Sequence, residues 1–214
     1  MLTFELLKNC AGLLLCGDKR TLEALHEVIH EVNDRSPVIK DKEGLFLGLA
    51  YDVRKAFERQ RRILKPPAQD RDVGPAFGVE ILWPVILFQS RMLRIALGHM
   101  PHGHRHQGMT YLLEDVVDKA IRAQFPEQAV SLIDAWRDLD PFARDMDAVL
   151  DSRGALFCNW TKAKRQSGLK MLVDTMSPRY SLHYEWMKPQ DRARYIAPSE
   201  FAIWMNREWP DPKW

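Results

Sequence analysis

The chain has no long hydrophobic run. Its most apolar stretch, ILWPVILF, is 8 residues, where a membrane-crossing helix needs roughly 20, so the sequence predicts no membrane association. Cysteine is scarce as well. Three cysteines, Cys10, Cys16 and Cys158, in 214 residues are an odd number in a chain large enough to fold without staples, which excludes a disulfide framework and suits a reducing compartment. Neither sign of charge dominates: 31 Lys and Arg face 29 Asp and Glu, a formal charge of +2, so any basic patch must be local. There is no glycine-rich phosphate loop, no paired-cysteine zinc motif and no nucleophile elbow, and nucleotide hydrolysis, zinc-ribbon folding and serine-hydrolase chemistry receive no support. The opening stretch, MLTFELLKNCAGLLLC, has no basic leader and is interrupted by Glu5, Lys8 and Asn9, which predicts a cytoplasmic protein.

What is present is a capacity to fold. Apolar residues make up 46% of the chain, enough for one large domain or a domain with an extension. LTFELL and GLLLCG predict two strands of a hairpin. After Gly17-Asp18, the residues Leu22, Leu25, Val28, Ile29 and Val32 have helical spacing. EGLFLGLAYDVRKAFERQRRIL reads as a second helix running to Leu64 and ended by Pro66-Pro67. Val79 to Leu82 reads as an extended lead into a helix with Pro84 in its first turn, running to about Gly98. MPHGHRHQG is expected to be a loop, followed by helices over Met109 to Phe125 and over EQAVSLIDAWRDL. The fold class is therefore α+β and predominantly helical, an N-terminal β-hairpin packed on a helix bundle. From about residue 150 the texture changes: residues 151–214 hold five of the seven tryptophans and 11 Lys and Arg against 7 Asp and Glu. We read 1–150 as the main domain and 151–214 as a Trp-rich C-terminal extension.

Over roughly the first 125 residues this order of signals resembles a family of short bacterial proteins described only as a domain of unknown function. The hairpin, Gly17-Asp18 before the Leu22/Leu25 helix, LGLAYDVRKAF, and ILWP before a long helix with Gln89 and Arg94 carry the likeness. The resemblance implies no activity.

Four constellations could carry function. His26-Glu27-Val28-Ile29-His30 has the spelling of a zinc metalloprotease signature: on a helix His26 and His30 lie on one face, with Glu27 beside them as general base. A third ligand is not evident, since position 36 is Ser36 and position 33 is Asn33. Arg94 and His99, five apart, resemble the R-x4-6-H motif of HEPN-type ribonucleases, in which the histidine moves a ribose 2′-hydroxyl proton and the arginine steadies phosphate charge, usually across a dimer. His99, His102, His104 and His106 lie within eight residues and could converge on one ion or meet His26 and His30 across a cleft. Trp160, Lys162, Lys164, Arg165 and Trp186 interleave rings with cations, a composition that serves a protein interface or single-stranded nucleic acid.

The leading expectation is an intracellular interaction protein without catalysis, binding a protein partner or a second copy of itself, with nucleic acid as a further partner class. The rivals are the HEPN-like ribonuclease and the zinc-dependent hydrolase. No cofactor is required by the leading reading; Zn2+ is the one the histidines would call for.

Overall fold

The computed structural model describes residues 1–65 and 74–213. Strands β1 (Leu2–Leu6) and β2 (Gly12–Gly17) form the expected hairpin, joined by a 3-10 turn at Lys8–Cys10. Asn9 and Cys10 take left-handed backbone angles there, with φ of 56° and 51°. Strand β4 (Ala76–Leu82) pairs antiparallel with β2, and the short β3 (Arg62–Leu64) completes a four-stranded sheet in the order β1-β2-β4-β3. Side chains alternate across a strand. Leu13 and Leu15 therefore enter the core beside Val79 and Ile81, while Leu14 and Glu80 share the other face.

Helix α1 (Lys19–Arg35) starts where Asp18 caps it, its carboxylate accepting from the Thr21 backbone N–H. Its five spaced apolar residues are all buried; each such side chain stabilises the fold by roughly 1.5–3 kcal/mol. Helix α2 (Leu45–Phe57) packs against α1 and β4. It stops seven residues before the expected end, and Arg62–Leu64 forms β3 instead. The reason lies in residues 58–62, Glu-Arg-Gln-Arg-Arg, which offer no apolar side chain to a core, and in Arg59, whose φ of 64° breaks the helix. The expected stop at Pro66-Pro67 lies outside the described residues, as does Trp214.

Helix α3 (Trp83–Gly98) is the central element, with Pro84 in its first turn as expected, and it packs against helices from both halves of the chain. Of its 16 residues 11 are buried; Arg91 and Arg94, three apart, are half-buried on its outward side. Helix α4 (His104–Gln124) begins five residues earlier than expected, so His104 and His106 belong to its first turn rather than to a loop. Helix α5 (Ala129–Arg137) follows, and Trp136 donates its indole N–H to the Leu87 carbonyl in α3.

Helices α6 (Met146–Asn159) and α7 (Lys162–Asp174) pack on α3 and on each other, and α6 runs through residue 150. Three short helices, α8 (Tyr180–Trp186), α9 (Pro189–Arg192) and α10 (Pro198–Ala202), end the chain. No helix among the described residues is long and apolar enough to cross a membrane.

Candidate functional site

The two histidine clusters do approach one another, because the start of α4 lies against α1. Contact is made by other side chains. Arg105 bonds to Glu27 and lies 3.7 Å from Glu31, and the His106 Nε2 is 2.7 Å from the same Glu31 carboxylate. Glu27, the base in a hydrolase of the signature type, is thus engaged as an ion-pair acceptor. The His26 and His30 rings lie against each other, tilted by 57° with centres 4.4 Å apart, and His26 meets Phe57 edge-on. Burial, then the neighbouring His30 and Arg54, hold the His26 ring below the usual histidine range, which favours neutral imidazole. His102 and His104 are exposed; His102 turns its Nδ1 to the Met100 carbonyl and its Nε2 to Gln107. Among the described residues no group of three or more His, Cys, Asp or Glu side chains is placed to hold a metal ion.

Arg94 and His99 point different ways, since five residues along a helix is a rotation of about 140°. The Arg94 guanidinium grips Glu114 of α4 through two nitrogens and lies 4.2 Å from the centre of the Tyr111 ring. That grip raises the Arg94 pKa above its ordinary value. His99, exposed at the end of α3, has its Nδ1 2.8 Å from the Ile95 carbonyl. Arg94 lines a pocket of about 490 Å³ between α3, α4 and α5, to which Arg91 and Arg137 also contribute. His99 is not part of its lining.

The Trp160 and Trp186 set divides in two. Trp160 leans over the backbone of Gly168, with Lys164 above its ring, and faces a pocket of about 350 Å³ shared with Lys162. Arg165 is only 2% exposed. It donates to the carbonyls of Phe157 and Cys158, closing the end of α6, and to Asn9 across the molecule. It is a staple rather than a surface cation. Lys162 and Lys164 are exposed.

Trp186 lies elsewhere, at the rim of a groove of about 590 Å³ between the α5 end, α7 and α8. Its side chain is 82% exposed, Leu182 one turn before it is 55% exposed, and Tyr195 opposite is 38% exposed. Asp138 and Asp140 stand on one wall, Arg179 and His183 on the other. The floor is ordered: Tyr180 donates to the Ile196 carbonyl, and burial pushes its phenol up to about 12. Sequence reasoning picked Trp186 but missed Leu182 and Tyr195; the signal was there in the i, i+4 spacing of Leu182 and Trp186 on one helix face. It also missed Arg91, for which no sequence signal exists.

None of the thiols is activated. All three cysteines are free and buried, and burial lifts Cys16 to about 12 and Cys158 to about 11, and raises Cys10. A thiol so shifted is a poor nucleophile near neutral pH.

Fold and sites together define a class: a mostly helical α+β protein with a small antiparallel sheet at its N-terminal end and an aromatic groove near its C-terminal end. The family described as Domain of unknown function (DUF6904) matches residues 2–214, and the chain belongs to it. The match extends well past the 125 residues on which the likeness was visible and takes in the Trp-rich end. No curated protein and no solved structure matches the chain.

Proposed function

We propose that the protein is a non-catalytic interaction module that binds a protein partner through the groove beside α8. The observation that carries this reading is Trp186, a large ring 82% exposed at the rim of a 590 Å³ groove with Leu182 on the same helix face. Tryptophan and tyrosine at the edge of a concavity are the residues that dominate binding energy at protein interfaces. Clustered exposed apolar side chains are a cost in water that a partner's apolar anchor would remove. The carboxylates of Asp138 and Asp140 and the guanidinium of Arg179 would fix the partner's orientation. An intracellular setting belongs to the same reading, supported by the three unpaired thiols.

The test is a partner screen by chemical crosslinking and affinity capture, run in parallel with wild type, Trp186→Ser and Leu182→Ser, and sedimentation of each protein alone. A partner, or a second copy, retained by wild type and lost by both variants is the expected result. Partners bound equally by all three proteins, with no mass change on dilution, would sink the proposal.

A further inference from the structure

We propose that the pocket between α3, α4 and α5 is a binding site for a small organic carboxylate, received by the guanidinium of Arg91. The starting point is a comparison among the half-buried and buried arginines. Arg165 spends its donors on three backbone carbonyls, and Arg153 donates to Thr175 and Ser152 and lies 3.6 Å from the centre of the Phe201 ring. Arg94 has Glu114. Arg91, equally part of the wall of a cavity, has no hydrogen bond and no carboxylate within ion-pair reach among the described residues, and its Nε is fully covered without a partner. That covered Nε is out of a ligand's reach, but the two Nη groups also have no hydrogen-bond partner among the described residues and are not sealed, so they are the donors left to the pocket.

The acids that line the pocket cannot serve, because each is already committed, and Asp138, outside that lining, acts on Arg91 without forming an ion pair with it. Glu114 is held by Arg94, Asp115 by Lys119, and Asp118 by Arg122 with Arg137 beyond it at 3.6 Å. The pocket thus holds one cation more than its own ion pairs consume. Burial lowers the Arg91 pKa, and the opposing effects of Glu114 and Asp138 against Arg94 and Arg137 act on it from both sides; a guanidinium so placed remains charged at neutral pH.

The shape and charge select the ligand. A guanidinium presents a planar fork that matches a carboxylate with two parallel hydrogen bonds. A single free fork fits a single negative charge, whereas a phosphate dianion would meet the carboxylates of Glu114, Asp115 and Asp118 on the α4 wall of the pocket. The exposed Tyr111 ring offers apolar surface to the body of an organic acid. At about 490 Å³ the space lies within the range of small-molecule sites, roughly 300–1,000 Å³.

The experiment is an NMR titration of the intact protein, following the arginine Nε–H signals, with sodium benzoate and sodium acetate as probes. Benzamide serves as the neutral analogue, and inorganic phosphate and a short peptide with a free C-terminus as competitors in class. Saturable benzoate binding that moves the Arg91 signal is expected, weakened roughly tenfold or more in Arg91→Met and unchanged in the remote Arg20→Met. Arg91→Lys, which keeps the charge but loses the fork, should bind with intermediate strength, and it carries the test if Arg91→Met does not fold. Benzamide should not bind. The proposal is overturned if neither acid saturates the protein or if benzoate binds Arg91→Met as wild type. It is equally overturned if phosphate binds as tightly as benzoate, or if the peptide is preferred to both acids, which would make the pocket a receptor for a partner's chain terminus.

Discussion

The sheet end and the C-terminal end of this molecule are packed by different chemistry. Around β2, α1 and α3 the contacts are leucine, isoleucine and valine meshing across regular elements, with β2 buried along its whole length. From α6 onward, buried aliphatics such as Leu150, Leu172 and Val173 are joined by contacts of another kind: guanidinium groups donating to carbonyls, rings lying over glycines, and the Trp209 indole hydrogen-bonded to Asp151. Aliphatic packing against a sheet is set by many small contacts and tolerates no displacement of backbone. Packing by a few large polar-tipped side chains concentrates the stability in few residues, leaving others, Trp186 among them, exposed.

Two glycines break or sharpen this contrast most directly. A Cβ at Gly12 would fall 1.9 Å from the Ile81 carbonyl oxygen, in the backbone of the adjoining strand. Gly12→Ala is therefore expected to cost more than about 3 kcal/mol, beyond ordinary overpacking, seen as a collapse of the urea midpoint. Arg165→Met comes next. It takes a donor from three carbonyls, of which Phe157 keeps the Trp160 N–H, and unties α7 from the Asn9 turn, a loss of about 3 kcal/mol by the same measurement.

Gly154→Ala should cost less although its Cβ would come within 2.0 Å of Trp209, because a ring in the terminal segment can swing aside where a strand cannot. We expect about 1–2 kcal/mol and a red-shifted tryptophan emission as Trp209 leaves Asp151. A cost matching that of Gly12→Ala would show the C-terminal packing to be as unyielding as the sheet.

Acid sensitivity should localise to the sheet end. The His26 pKa is depressed in the fold, so the unfolded chain binds the proton more tightly. Its contribution to stability is complete above the ordinary histidine pKa of about 6.5 and declines as pH falls below it. His26→Gln should flatten the stability curve on that acid side, measured by melts from pH 7 to pH 5; an unchanged slope would refute the assignment. The smallest effect belongs to Trp186→Ser, within about 0.5 kcal/mol of wild type, since the ring is 82% exposed. A larger loss would mean that the groove wall is structural rather than a surface for a partner.

Much of the fold was legible because its signals are local. Asp18 followed by Leu22, Leu25, Val28, Ile29 and Val32 specifies a capped amphipathic helix without reference to anything else in the chain, and Pro84 marks the start of α3 for the same reason. The failures occurred where a neighbour decided. Residues Arg62–Leu64 continue a helical reading but pair with Ala76–Gly78. The α4 helix starts at His104, where the Gly103 N–H meets the His106 ring and Arg105 and His106 find Glu27 and Glu31 of α1.

The candidate sites divide on the same line. Composition alone shows that the C-terminal third is rich in rings and cations, and spacing alone puts His26 with His30 on a common helix face. Which tryptophan is free and which arginine is unpaired are properties of distant partners. Trp160 and Trp209 are half-buried because Gly168 and Gly154 leave room for them, and Trp186 is bare because no described side chain covers it. Arg94 is consumed because Glu114, twenty residues on, reaches it, while Arg91 one turn earlier is left without an ion-pair partner among the described residues. A sequence fixes periodicity through bonds along the chain; pairing and exposure depend on contacts through space, and only the tertiary structure supplies those.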